Sequence, residues 1–459
     1  MKYYTIFIFR RDFRLQDNIA LNYAVQHYKN IIPIFIFTPE QIDKSKNKYF
    51  SENAFQFMIE SLEDLNLELK EKNNSKLHIF YGDNITILKK IMNEIKINSV
   101  IFNKDYTPYA RKRDSDIKKL CISKNIDCII KEDYLLSPIG TFLKDDGNPY
   151  TIYTPFKNKV KNLLQKQKIN KIKIKNLVLF KFKNIEEKKF PKYNKNSQIL
   201  VQGGRKNALK QLSQVKKNLK KYNDIRNILS EKTSLLSAYI KFGLLSIREV
   251  YLQFKLIENE LIDQLIWREF YFYITYYFPD TLAKSQNFNK KFDFIKWDSS
   301  TTLFKKWCEG KTGYPIIDAC MTELNITGYM HNRGRLITSN FLNRILGLDW
   351  RLGEKYFAQK LTDYDPSVNN GNWQWISSVG VDPKPFSQRI FNPKLQSKKY
   401  DPDSKYIKKW LPQLSSVESK ELHDWELYYE NHNLSSISYY KPIVSYKEQR
   451  EKSIKMYTK

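Results

Sequence analysis

Five short runs rich in β-branched and aromatic residues punctuate the first part of the chain: YTIFIF at 4–9, IIPIFIF at 31–37, KLHIFY at 76–81, SVIF at 99–102 and CII at 128–130. Helical patterns alternate with them. That alternation predicts an α/β unit over residues 1–135, a doubly wound five-stranded parallel sheet with helices on both faces. The only glycine in this unit is Gly82, so the G-x-G-x-x-G turn that cradles a pyrophosphate is absent and any dinucleotide is expected elsewhere. Residues 136–200 carry the lysine-rich stretch KNKVKNLLQKQKINKIKIKNLVLFKFKNIEEKKFPKYNKNS, which reads as a solvated interdomain connection. From GGRKNALKQL at 203 the pattern is helical to the end, and residues 201–459 are predicted to be all-α.

A chain of 459 residues exceeds one typical domain and is expected to form two or three. Lys+Arg 78 against Asp+Glu 49 gives a net charge of +29, which favours polyanions such as nucleic acid. The excess is mostly lysine, and asparagine and isoleucine are also abundant, so an AT-rich coding composition accounts for part of it. Cys121, Cys128, Cys308 and Cys320 show no C-x-x-C spacing, and with five histidines there is no zinc pattern. We expect no metal and a reducing intracellular compartment. The opening MKYYTIFIFRRDFRL lacks a cleavage site and reads as a first strand, and no apolar run approaches a membrane span.

The unusual chemistry lies in the helical part. TDYDPSVNNGNWQW, residues 362–375, sets Asp363 and Asp365 beside Asn369, Asn370, Trp373 and Trp375. In SEKTSLLSAYIKFG, Thr233 and Ser234 stand where helix N-caps belong and Gly243 where a left-handed C-cap belongs. With Ser237 these hydroxyls either cap a helix or meet a phosphate. DQLIWREF puts Gln264 and Trp267 on one helix face, and MHNRGRLI puts Asn332 and Leu336 on another, with Arg335 beside them. Such side chains serve as core or as the wall of a site for a flat heterocycle. Asp363 is the natural partner of Arg335.

FRRDFRLQDNIAL at 9–21, TSLLSAYIKFG at 233–243, LIWREFY at 265–271, WCEGKTGYPIIDACM at 307–321, TGYMHNRGRLI at 327–337, DWRLGEKYF at 349–357 and DYDPSVNNGNWQW together resemble the photolyase/cryptochrome family in order and spacing. The resemblance spans nearly the whole chain and is nearest to class I-like cyclobutane pyrimidine dimer photolyases. It implies an antenna domain followed by a helical domain that holds FAD. Tyr222, Thr233, Ser234, Leu236, Ser237, Arg335, Asp363, Asp365 and Asn369 match its cofactor positions, with Asn369 facing the flavin ring nitrogen. Trp373, Trp350 and Trp297 match its electron-transfer chain. Gln264, Trp267, Asn332, Arg333, Leu336, Trp375 and Arg389 match substrate positions, the two tryptophans sandwiching a flipped dimer and the two arginines gripping phosphates. Gln264, Asn332 and Asn369 are the implied catalytic side chains alongside the tryptophans.

What the resemblance implies is light-driven repair of UV-damaged DNA by a monomer, with a possible second antenna chromophore of unknown identity in the N-terminal domain. Class I enzymes carry Glu, Met and Trp where this chain has Gln264, Leu336 and Tyr329. Glutamine there is similar to (6-4) photolyases and animal cryptochromes, which place two histidines where this chain reads His331 and Asn332. Folate-binding relatives carry an Asn-Glu pair at the positions of Tyr109 and Ala110. The alternatives are a (6-4) photolyase and a blue-light receptor without repair; the short segment after the helical pattern disfavours the receptor.

Overall fold

The computed structural model describes residues 2–219, 221–231, 233–257, 259–382, 389–432 and 438–458. The five predicted runs form one parallel sheet: β1 (Tyr4–Ile8), β2 (Ile31–Phe37), β3 (His78–Tyr81), β4 (Ile97–Asn103) and β5 (Asp127–Lys131), in the order β3-β2-β1-β4-β5. All seven residues of β2 are buried, as befits a strand covered by helices on both faces. The order reverses between β1 and β4. Their connections leave the sheet in opposite directions, opening a crevice at the carboxyl ends of the strands.

The lysine-rich stretch is not simply solvated. The helix Tyr153–Leu163 leads into it, with Tyr153, Phe156 and Val160 buried at i, i+3 and i+7 spacing. Farther on, the Val178 amide donates to Ile31 O at 2.9 Å, while Phe182 and Ile185 join the core on one side of the sheet. The lysines take the outer positions and the apolar residues among them pack. A mean over the whole stretch hides that division.

From Arg205 onward the described residues form helices and no sheet strand. The two units are closely joined. Phe13 stacks on Phe242 with centroids 6.0 Å apart, and a buried ionic cluster ties Arg14 and Arg248 to Asp17 and Asp133. Each carboxylate has at least one cation and each cation at least one carboxylate, which buried charges require. Gly243 has φ +64, and a Cβ there would lie 2.1 Å from Arg11 O. Only glycine fits both the left-handed turn and the approach. No helix among the described residues is long and apolar enough to cross a membrane.

Candidate functional site

The two acids of the 362–375 segment part ways. Both Asp363 oxygens accept from Arg335 Nη2, at 3.1 and 2.9 Å, while Arg335 Nε donates to Met330 O at 2.9 Å. Burial opposes the charge on Arg335, yet Asp363 more than offsets it and the arginine pKa is raised. Asp365 instead caps the helix Pro366–Ile376, accepting from the Ser367 and Val368 amides. Its other oxygen pairs with Arg11 and accepts from the Tyr134 hydroxyl, both in the α/β unit. Asp365 is thus a residue of the domain seam rather than a second acid beside Arg335.

Asn369 sits one turn into the same helix. Its Nδ2 donates to Glu354 O and Glu354 Oε1, both at 3.0 Å. With both hydrogens used, the amide presents its oxygen, an acceptor matched to a protonated ring nitrogen. Burial holds the Glu354 carboxyl up at about 7, against the lowering effect of the Asn369 hydrogen bond.

The predicted N-caps fall elsewhere. Thr233 Oγ1 meets the Tyr329 hydroxyl at 3.0 Å, and the helix begins only at Ser237, running to Lys241. Leu235, at φ +52, turns the chain out of helical geometry, so neither Thr233 nor Ser234 occupies a cap position. Thr233 and Ser234 are half-buried, Ser237 is exposed and Leu236 buried, with Tyr222 half-buried at the start of the helix Tyr222–Ile225.

Six of the seven candidate substrate side chains lie on three helices, Arg389 being the exception. Gln264 is exposed on the helix Asn259–Tyr277 and folds its amide back to Glu260 O at 3.4 Å. Trp267, one turn on, is half-buried and stacks on Tyr153 with centroids 3.5 Å apart and planes 7° apart. Asn332 and Leu336 share a face of the helix Asn332–Asn340, exposed and half-buried respectively. Arg333 is half-buried, donates to Asn227 Oδ1 at 2.7 Å and lies over the Tyr400 ring. Trp375 is half-buried with the Arg389 guanidinium 4.1 Å from its ring centroid.

Arg389 overturns an expectation. It is 4% exposed, and its two Nη atoms donate to Trp375 O and Asp382 O. A guanidinium enclosed this way backs an indole instead of gripping a phosphate. Tyr271 links the two tryptophans: its ring lies 5.8 Å from that of Trp267, and its hydroxyl donates to Asn372 Oδ1 at 3.3 Å on the helix bearing Trp375.

The other three tryptophans run from the interior outward. Trp373 is 3% exposed and Trp350 is fully buried, while Trp297 is half-buried. Trp373 presses against Gly353, where a Cβ would lie 2.2 Å from the indole. Gly353 is three residues beyond Trp350 in the helix Trp350–Lys360, so Trp373 touches the face that carries Trp350. An isolated bridge between Asp298 and Leu348 then draws the Trp297 segment to the start of that helix. Burial, helix packing and the bridge place Trp373 and Trp350 in the interior and Trp297 nearer the surface.

Residues 5–173 match the DNA photolyase family and residues 261–459 match the FAD binding domain of DNA photolyase. The deoxyribodipyrimidine photo-lyase of Escherichia coli is 32% identical over 98% of this chain and 97% of its own. The chain belongs to the DNA photolyase family. Among solved structures, the archaeal photolyase of Sulfolobus tokodaii with two FAD molecules has TM-score 0.87 and 35% identity, covering 99% of each chain. A bacterial class III photolyase from Agrobacterium tumefaciens has TM-score 0.88 and 30% identity, covering 100% of this chain and 97% of its own.

This photolyase-family chain also has a cavity of about 350 Å³ at the carboxyl ends of β1, β2 and β4, where the strand order reverses. Phe50, Phe55 and Met58 supply apolar wall, Tyr109 lies at one side, and Arg11 and Lys241 come from the seam. Burial, then repulsion from Arg11, brings the Lys241 ammonium down to about 7, against the pull of Asp365, Asp363 and Asp105. The sequence pattern missed this cavity, the Arg11–Asp365 pair, Glu354 and Tyr153. Of these, only Tyr153 had a local signal, the apolar spacing it shares with Phe156 and Val160.

Proposed function

We propose that this chain is a deoxyribodipyrimidine photo-lyase that splits cyclobutane pyrimidine dimers in UV-damaged DNA in the light. The observation that carries the reading is the pair of half-buried indoles, Trp267 and Trp375, linked through Tyr271 and sharing a helical unit with the Arg335–Asp363 and Asn369–Glu354 pairs. Extruded bases need stacking surfaces to replace their lost neighbours, and partly exposed indoles backed by protein supply them.

The residues present fit FAD: an amide oxygen for a protonated ring nitrogen, a paired arginine and acid for polar edges, and the hydroxyls of Thr233, Ser234 and Ser237 for phosphates. Tyr222, Leu236 and the seam residue Asp365 complete the proposed set. FAD, when bound, absorbs light and supplies the electron that opens the dimer. The protein's part is to extrude and stack the lesion, to exclude water and to carry reducing electrons inward through Trp297, Trp350 and Trp373. In this reading Gln264 and Asn332 hydrogen-bond the dimer, Leu336 contacts it and Arg333 meets a flanking phosphate. With these roles goes a division into an antenna unit at 1–135, a packed strap at 136–200 and the FAD-binding unit at 201–459, working as a monomer in a reducing intracellular compartment. The cavity at the carboxyl ends of β1, β2 and β4 is our site for a second, light-harvesting chromophore.

His331 weighs against (6-4) repair, which needs a proton donor. Its Nδ1 accepts from the Arg333 amide at 3.0 Å, and burial followed by repulsion from Arg333 and Arg335 holds its pKa down at about 4. At neutral pH it has no imidazolium proton to give. The test is to illuminate purified, reduced protein with defined cyclobutane-dimer and (6-4) oligonucleotides and to identify products by chromatography. Restored thymines from the dimer support the proposal; repair confined to (6-4) substrates, or repair of neither, overturns it.

A further inference from the structure

Trp267 and Tyr153 form the most closely spaced ring pair among the described residues, nearly parallel at 3.5 Å. Tyr153 comes from outside the FAD-binding unit, on the helix Tyr153–Leu163 that leads into the lysine-rich stretch. That helix is held against the Trp267 helix by polar contacts centred on one residue. The Tyr153 hydroxyl donates to Asp263 O at 3.0 Å, and the Asp263 carboxylate pairs with Lys157 at 2.5 Å and Lys161 at 3.3 Å. Asp263 directly precedes Gln264 and lies four residues, about one helical turn, before Trp267. Phe270 closes the edge, with its ring 5.9 Å from that of Tyr153.

The residues just before the Tyr153 helix reach the second indole. Thr151 O accepts from the Asp382 amide at 3.0 Å, and Asp382 O accepts from Arg389, the guanidinium over Trp375. We propose, on the basis of the dimer-repair reading above, that Tyr153 is a positioning residue for lesion recognition: stacked behind Trp267, it fixes the indole plane against which an extruded pyrimidine is read. A loose indole must be immobilised when the base arrives, and that ordering weakens binding. An indole already stacked has lost that freedom on folding. The effect is confined to substrates that place a base on Trp267, because undamaged duplex keeps its bases stacked on one another.

The experiment uses FAD-loaded protein and three chains: wild type, Tyr153→Phe and Tyr153→Leu. Dissociation constants are measured for dimer-containing and undamaged duplexes of one sequence, together with repair per photon at saturating DNA. Tyr153→Leu should weaken dimer binding about three- to tenfold while leaving undamaged DNA affinity and saturating repair unchanged. Tyr153→Phe keeps the ring and should retain wild-type discrimination. Equal losses on both duplexes, no loss on either, or a Tyr153→Phe defect as large as that of Tyr153→Leu overturns the assignment. Should Tyr153→Leu lose its FAD, Tyr153→Met keeps more side-chain volume without an aromatic face and carries the same expectation. Wild-type protein that fails to prefer or repair the dimer sinks the repair reading itself; a wild-type preference that survives Tyr153→Leu sinks only the role of Tyr153.

Discussion

Trp373 and Trp350 are enclosed by protein, whereas Trp267 and Trp375 are half-buried, the first stacked on Tyr153 and the second under the Arg389 guanidinium. Trp373 meets Gly353, Phe357 and Trp307, while the Trp350 Nε1–H donates to Asn287 Oδ1 at 3.1 Å and the Arg351 guanidinium lies over its ring. The half-buried pair are backed by a phenol in one case and a guanidinium in the other. An indole enclosed on all sides has no surface for a ligand but can pass charge; one that keeps an exposed face can still receive a base. The same residue type divides into two roles by what occupies its faces.

The largest effect that would break this division concerns the enclosed pair. Trp373→Phe should bring photoreduction of the bound flavin down to background with FAD content and dimer binding intact. Transient absorption under blue light with an external reductant reads the outcome, and photoreduction at the wild-type rate would remove the electron path. Next comes the half-buried pair. Trp375→Ala should weaken dimer-containing DNA by about 1–3 kcal/mol while photoreduction proceeds unchanged. A Trp375→Ala chain that photoreduces poorly but binds dimers normally would reverse the two roles.

How much of this could be read from the chain differs by element. Each strand was legible because apolar and β-branched residues cluster in short runs between helical patterns, and those runs fall on β1 to β5. Arg335 and Asp363 were legible as a pair because two charges among aromatic helices need partners, and the ion pair forms at 2.9 Å. The Tyr153 helix was lost in its lysines, since composition averaged over a stretch conceals a three-residue apolar face. The caps at Thr233 and Ser234 failed on the left-handed Leu235, a conformation that no side-chain preference announces. Arg11 and Asp365 stand 354 residues apart in sequence. Only the folded seam brings them together.

A third effect tests the enclosed side through its titratable group. Glu354 follows Gly353 on the Trp350 helix and bonds Asn369, and burial raises its pKa from 4.5 to about 7. Because the folded value lies above the unfolded one, the protonated form favours the fold. Stability is fully present below about 4.5, falls as pH rises toward about 7 and then levels off. Glu354→Gln should remove that fall, gaining up to about 3 kcal/mol over wild type at pH 8 and little at pH 4. Thermal unfolding of both chains across this range is the measurement. Parallel Tm curves for wild type and variant would show that the carboxyl does not titrate as its burial implies.

The smallest expected effect sharpens the comparison from the half-buried side, at Gln264. The residue is exposed, one turn from Trp267, and its amide makes only a long bond to Glu260 O at 3.4 Å, so it is free to turn toward a bound base. A glutamic acid in its place would offer a stronger donor when protonated, but an exposed carboxyl is ionised at neutral pH and meets a phosphate-lined substrate. Opening a cyclobutane dimer requires no net proton transfer, so the glutamine N–H donor suffices for the chemistry. Gln264→Glu should therefore leave repair per photon within about twofold of wild type, a difference of about 0.4 kcal/mol, or raise it slightly at low pH where the acid carries its proton. The measurement is quantum yield on a dimer oligonucleotide at saturating concentration, taken at pH 6 and pH 8. Repair abolished by Gln264→Glu at both pH values would mean that this side chain does more than hold the base, and the half-buried face would then be a catalytic centre in its own right rather than a stacking platform.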